Sequence, residues 1–286
     1  MIRRAPTDGI DWGAPIDRGH PEGRGLDHFF YSFAGVGFID VVDRSRPTRI
    51  GTADPGRWAD DGGQDSFFDG NGDGWTFGTH EVLNTGRPFT ICWEAILDSF
   101  VDSFPAIVHL VTDSNEVGVM YSNSGLHPDV EFTSFVGSTW ARTRLTLTDG
   151  LTPTGQRHFG VLTYNGADET SAANFNWWIN GRKIAPITGD ALGGTGVSNR
   201  IGHGVASVLD WNGSIRQVRI YDYAWDGALA RSFARSPAGV FRPATSRTAR
   251  TTVVAAAGGT TPKGPLGHPL HGPLGGPLGV GIGVAA

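Results

Sequence analysis

Residues 211–229 read WNGSIRQVRIYDYAWDGAL, and this stretch decides the fold class. Its first part, Ser214–Tyr223 (SIRQVRIYDY), mixes β-branched and aromatic residues with polar ones, as a strand does that buries one face. Its second part changes period. Asp226 stands at an N-cap position, Asp226–Arg235 (DGALARSFAR) has helical spacing, and Pro237 follows just past the end. No other run in the chain supports a helix. A strand that delivers the chain into one short helix predicts an all-β domain closed by that helix.

Upstream the strand signal repeats. Leu26–Phe33, Ile39–Asp43, Gln64–Asp69, Trp75–Phe77, Pro88–Leu97 and Ala106–Thr112 are apolar or aromatic runs bounded by turn residues. Glu116–Ser122, Val130–Phe135, Thr139–Thr148, Arg157–Tyr164 and Asn174–Ile184 continue the series. Arg142, Arg144, Thr146 and Thr148 fall on one face of their run, and Leu145 and Leu147 on the other. Turn signals at this spacing predict a sandwich or barrel. The segment RSRPTRIGTADPGRWADDGG, residues 44–63, reads as a loop. Gln64–Asp69 and Trp75–Phe77 flank DGNGDG and read as a hairpin whose tight turn needs positive φ.

Composition narrows the class further. Glycine supplies 43 of 286 residues and proline 17, which excludes long helices, and a 10% aromatic content excludes a disordered linker. Cys92 is the only cysteine, so internal disulfides and Cys-based zinc clusters are excluded. Residues 1–25 contain no apolar run fit for a secretory signal and read as an extended N-terminal arm. No run is long and apolar enough for a membrane helix. Synthesis in a cytoplasm is expected.

Charge is uneven along the chain. Asp226 is the last acid, and Arg231, Arg235, Arg242, Arg247, Arg250 and Lys263 follow it. Such a tail suits an acidic surface; its charges are too sparse for nucleic acid. From residue 241 onward the chain reads as an extended arm, basic at first. In KGPLGHPLHGPLGGPLG, Pro265, Pro269, Pro273 and Pro277 recur every four residues, each followed by leucine: Leu266, Leu270, Leu274 and Leu278. That is a stiff, polyproline-like ribbon that cannot bury its own leucines.

Four of these runs together resemble the concanavalin A-like, laminin-G-type jelly rolls. Trp211–Leu229 is similar to the closing strand and helix of that family, with Trp225 where a small or aliphatic residue is usual. Trp178–Arg182 (WINGR) resembles its "Y-V-N-G" hairpin, Phe67–Gly70 (FFDG) its "F-D-G" turn, and Pro88–Trp93 (PFTICW) its "F-T-I-x-x-W" strand. They occur in the family's order over about residues 26–240. The resemblance implies a two-sheet antiparallel jelly-roll sandwich over 26–240, between arms at 1–25 and 241–286. The opening IDWGAPIDRGHP (residues 10–21) and the exit SPAGVFRP (236–243) are similar to jelly-roll proteins of bacteriophages and prophages.

Candidate chemistry is thin. Asp69, Asn71, Asp73 and Gly74 match the first half of a calcium loop, but the position of the bidentate glutamate is His80, so a structural turn is preferred and calcium is the alternative. Asp129 and Glu131 share a strand face, whereas the related glucanases carry E-x-D-x-x-E; positions 127 and 134 are His and Ser here. Hydrolysis is therefore not expected. Cys92 reads as an inert buried thiol. Trp177 and Trp178 are adjacent, so one faces outward and is a candidate platform for a glycan or a neighbouring subunit.

The expectation is a non-enzymatic phage virion protein, without cofactor or membrane, that decorates or cements a capsid at the virion surface. Its partners would be the major capsid protein or neighbouring subunits of a homo-oligomer. Arg242, Arg247, Arg250, Lys263 and the four leucines of the ribbon would carry that docking. The alternative is a tail-fibre or tail-tip module that recognises host glycan, and a glycoside hydrolase comes third.

Overall fold

The computed structural model describes residues 16–241 except 54–55, 60–62, 79–86, 102–104, 113–114, 123–128, 137–138, 147–153, 168–171, 185–186, 189–198, 204–209 and 238. The arm residues Arg242, Arg247, Arg250, Lys263, Leu266, Leu270, Leu274 and Leu278 all lie outside this set.

In chain order the strands begin with β1 (Leu26–Phe33), β2 (Gly37–Asp40), β3 (Thr48–Ile50), β4 (Arg57–Trp58), β5 (Gln64–Asp69) and β6 (Gly74–Phe77). Next come β7 (Phe89–Leu97), β8 (Ala106–Thr112), β9 (Asn115–Ser122), β10 (Asp129–Val136), β11 (Thr139–Thr146) and β12 (His158–Tyr164). The series ends with β13 (Phe175–Ile179), β14 (Arg182–Ile184), β15 (Ile187–Thr188), β16 (Asn199–Ile201), β17 (Asn212–Tyr221) and the helix α1 (Gly227–Arg235). They form two sheets. One has the order β14-β13-β12-β7-β17-β1-β2, with β5 also on β17 and β4 on β5; the other runs β15-β11-β10-β9-β8-β16-β6-β3. The expected two-sheet antiparallel jelly-roll sandwich is present, with one short α-helix among the described residues.

Two local expectations need correction. The segment 44–63 is not all loop, because β3 and β4 pair with β6 and β5. Gln64–Asp69 and Trp75–Phe77 form no hairpin, since β5 and β6 belong to opposite sheets. DGNGDG arches across the sandwich instead. The positive φ it was expected to need is present at Gly70 (76°) and Gly72 (73°).

β17 organises the first sheet. Along one edge it pairs with β7; along the other, Asn212–Ile215 meet β5 and Gln217–Tyr221 meet β1. Its inward residues Ile215, Val218 and Ile220 join Ile91, Trp93, Ala95 and Leu97 of β7, and Trp177 and Trp211, in the core between the sheets. A second apolar layer covers part of the sheet's outer face. There α1 lays Ala230 and Phe233 over Phe29, Cys92, Val161 and Trp178. Asp226 caps the helix, its Oδ1 accepting from the backbone N of Ala228 and Leu229 at 2.9 Å each.

Arg219 is fully buried in that layer. Its guanidinium lies over the rings of Phe29 (4.3 Å) and Phe233 (5.0 Å), donates to Gln217 Oε1 and the Pro237 carbonyl, and pairs with Glu22 Oε2 at 3.4 Å. Residues 16–25 are thereby docked on the jelly roll. Ile16 bridges Phe241, and the Asp17 N–H donates to the Val240 carbonyl at 3.0 Å.

The core also holds a neutral polar chain. Trp93 Nε1 donates to the Tyr121 hydroxyl at 3.1 Å, Tyr121 donates to His158 Nε2, and His158 Nδ1 donates to the Gln156 carbonyl at 3.3 Å. This network assigns the Nδ1-protonated neutral tautomer. Burial lowers the His158 pKa to about 4. An unfolded histidine takes up its proton near pH 6.5, so stability is lost as pH falls from there to about 4, by roughly 3 kcal/mol in total. Denaturant titrations across that window should show the loss in the native protein and a flatter profile in His158→Gln. Close packing gives a second expectation. Gly160 pairs with Trp93, and a Cβ at Gly160 would fall inside that indole. Gly160→Ala should cost about 1–3 kcal/mol in the same titration at pH 7.

Candidate functional site: a cleft floored by a ring of ion pairs

The outer face of the first sheet changes character beyond the helix. The β17–β7 register shifts between Ile215 and Gln217, so Arg216 sits in a bulge where β5 gives way to β1. A bulge re-aims side chains. Here it places Arg216 and Gln217 together on the outer face, where strict alternation would have turned one of them into the core.

Arg216 meets two buried acids. Its Nε donates to Asp65 Oδ1 of β5 at 2.7 Å and its Nη1 to Glu94 Oε1 of β7 at 3.0 Å. Arg157, just before β12, bridges the same pair: Nη2 to Asp65 Oδ2 at 2.6 Å and Nη1 to Glu94 Oε1 at 3.4 Å. The result is a closed ring of alternating charge. Gln217 Nε2 completes Glu94 at 2.6 Å, and Ser214 Oγ donates to Asp65 at 3.3 Å. Burial pushes the Glu94 pKa up, and the two guanidiniums oppose that rise. Gly63 leaves the room, since a Cβ there would overlap the Arg216 guanidinium.

Above the ring lies a cleft of about 460 Å³. Asp65, Arg157 and Ser214 form its floor, and Ile96 and Phe67 line it. Arg57 covers the Phe67 ring at 3.7 Å, and its neighbour Trp58 on the edge strand β4 is 47% exposed. Asp98, exposed on the segment after β7, stands at the rim. An accessible indole beside fixed donors and acceptors can stack on the apolar face of a small polar ligand and hydrogen-bond its edge.

The residues singled out by sequence fall elsewhere. Trp177 is in the inter-sheet core, and Trp178, though outward, lies beneath α1 and is 4% exposed, so it is no platform. Asp129 and Glu131 are two apart on β10, with backbone partners in β9 and β11; their side chains lie outside the described residues. In the DGNGDG arch, Asp69 Oδ1 accepts from Asn71 N (2.9 Å) and Asp73 Oδ1 from the Thr52 hydroxyl (3.0 Å). Gly72 N donates to Asp210, which also holds His203. These oxygens close the arch. Among the described residues no group of three or more His, Cys, Asp or Glu is placed to hold a metal. Cys92 is buried, and desolvation raises its thiol pKa well above the ordinary value.

The cleft was missed because Arg57 and Trp58 stand in a segment read as loop, and the ring is assembled from four distant positions. One signal was present: Arg216-Gln217 puts two polar residues together in an otherwise alternating strand.

The model of the concanavalin A-like lectin/glucanases superfamily, laminin-G type, matches residues 69–228, more than half of the chain. The chain belongs to that superfamily. Among solved structures, this laminin-G-type jelly roll is similar to domain 4 of AbnA, an extracellular arabinanase of Geobacillus stearothermophilus: 16% identity, TM-score 0.52, over 73% of this chain and 98% of that domain. It is also similar to the binding domain of botulinum neurotoxin serotype D/C, at 16% identity and TM-score 0.52 over 74% of this chain. It spans about half (52%) of that neurotoxin chain. The binding domain of botulinum neurotoxin DC in complex with SialylT matches at 14% identity, with TM-score 0.50, over 74% of this chain and 52% of that one. These likenesses bear on the fold alone. No curated protein matches the chain.

The ring makes an energetic prediction. Removing one partner of a buried ion pair strands the other charge, at about 3–5 kcal/mol. Arg216→Ala should lower unfolding free energy by that amount, whereas exposed Arg231→Ala should change it by under about 0.5 kcal/mol. Urea denaturation of the two variants measures the difference.

Proposed function

We propose that this protein is a non-catalytic carbohydrate-binding module that seats a glycan in the cleft against Trp58. The observation that carries the reading is the 47% exposed indole on the rim of a cleft with a rigid polar floor. Sugar rings present flat apolar faces and hydroxyl edges, which is the chemistry this surface complements. Two structural neighbours lend support: the arabinanase domain is in complex with arabinotriose, and a botulinum neurotoxin binding domain with SialylT.

The floor supports a non-catalytic reading. Hydrolysis by two carboxyls needs one to give a proton and one to act as base or nucleophile. Of the two acids that line the cleft among the described residues, Asp65 is bonded at both oxygens to arginine, so these two do not make such a pair. On an array of neutral and acidic glycans, the full chain should bind a defined subset and release no reducing sugar. Trp58→Ala should weaken that binding at least about tenfold with an unchanged melting temperature, because the side chain is exposed. Binding untouched by this substitution would move the site elsewhere.

A virion surface is the proposed setting for such a module. The leucine register of the Pro-Leu ribbon and the phage-like segments at 10–21 and 236–243 support it. In that setting the arm docks on the major capsid protein or on neighbouring subunits. Deletion of residues 244–286 should abolish incorporation into particles while glycan binding persists; normal incorporation of the truncated chain would remove the arm from the account.

A further inference from the structure

We infer that the cleft selects uncharged glycans and rejects acidic ones, an inference that rests on the glycan-binding reading above. The cations of the floor are already spent. Arg157 and Arg216 each bridge both Asp65 and Glu94, so the four charges cancel within a closed ring. Asp65 has no exposed surface, and Glu94 and Arg216 are 2% and 9% exposed. A sugar carboxylate that drew Arg157 toward itself would strand part of a buried anion pair, which costs more than a solvated contact returns.

The charges at the rim cancel as well. Among the described residues, Arg57 and Asp98 are the remaining ionic side chains lining the cleft, and they are opposite in sign. Arg57 has its guanidinium over Phe67, so its approach is governed by that ring. An acid entering the cleft loses water, and among the described lining residues each cation is balanced by a carboxylate, so that loss is not repaid. A neutral sugar meets none of these penalties. Its hydroxyls can exchange water for Ser214 and Asp98, while one ring face covers Trp58. The cleft therefore favours neutral hydroxyl-rich saccharides over uronic or sialic acids.

The test is calorimetric titration of the full chain with pairs of oligosaccharides that differ only in charge. Suitable pairs are lactose with sialyllactose and oligogalacturonides with their carboxyl-reduced forms, supplemented by the neutral and acidic glycans of the array. The expected result is binding confined to neutral members, or at least about tenfold tighter for them, with less than about a twofold change in Kd between 50 and 500 mM NaCl. Asp98→Asn, at an exposed position, should raise affinity for the acidic member relative to the neutral one by about threefold or more. Tighter binding of the acidic member, or affinity that falls about tenfold with salt, overturns the inference and leaves glycan binding intact. Absence of binding to every glycan removes the proposed function, and the inference with it.

Discussion

The bulge at Arg216 is the constraint on which the rest of the outer face depends. β17 must serve β5 and β1 along the same edge, one after the other, and a regular ladder would carry its alternation through the handover. The extra residue breaks it there. Ile215 and Val218 both still point inward, and two polar side chains stand together outside. From this position Arg216 reaches both Asp65 on β5 and Glu94 on β7. The strand that closes the sandwich is thus also the strand that charges its surface.

This ring and the histidine chain in the core solve the same problem in opposite ways. Between the sheets, Trp93, Tyr121 and His158 are kept neutral, and burial itself enforces that by lowering the histidine pKa. On the outer face carboxylates and guanidiniums face one another in reciprocal pairs. A buried ion pair is a weak source of net stability compared with an apolar pair of equal volume. What the ring provides is fixed geometry: donors and acceptors whose directions are set before any ligand arrives. Arg219 plays a related part further along β17, where it clamps the docked lead-in, α1 and the exit segment instead of lining a cleft.

Much of this fold was legible because strand periodicity is local. Leu26–Phe33, Gln64–Asp69 and Ala106–Thr112 were bounded by turn residues at the ends the structure gives them, and Asp226 capped the helix that its spacing implied. What failed was long-range. The glycines of DGNGDG declared a tight turn but not that its two strands join different sheets. Trp178 alternates outward as expected, yet nothing within its own run says that α1, some fifty residues later, will cover it. Arg57-Trp58 is a two-residue strand among Asp, Pro and Gly, and only pairing with β5 makes it one. The ring draws Asp65, Glu94 and Arg216 from three strands and Arg157 from the segment before β12, so no spacing along the chain could announce it.

The meeting of Ile16 with Phe241 has a consequence for how the domain can be carried. Chain entry and chain exit are neighbours, pinned by a backbone hydrogen bond from Asp17 to Val240. Domains whose ends lie together tolerate circular permutation and insertion into a host loop. This jelly roll can therefore be worn like a pendant. A single surface loop of another protein could bear it, and its cleft would need no rebuilding when the bearer is exchanged.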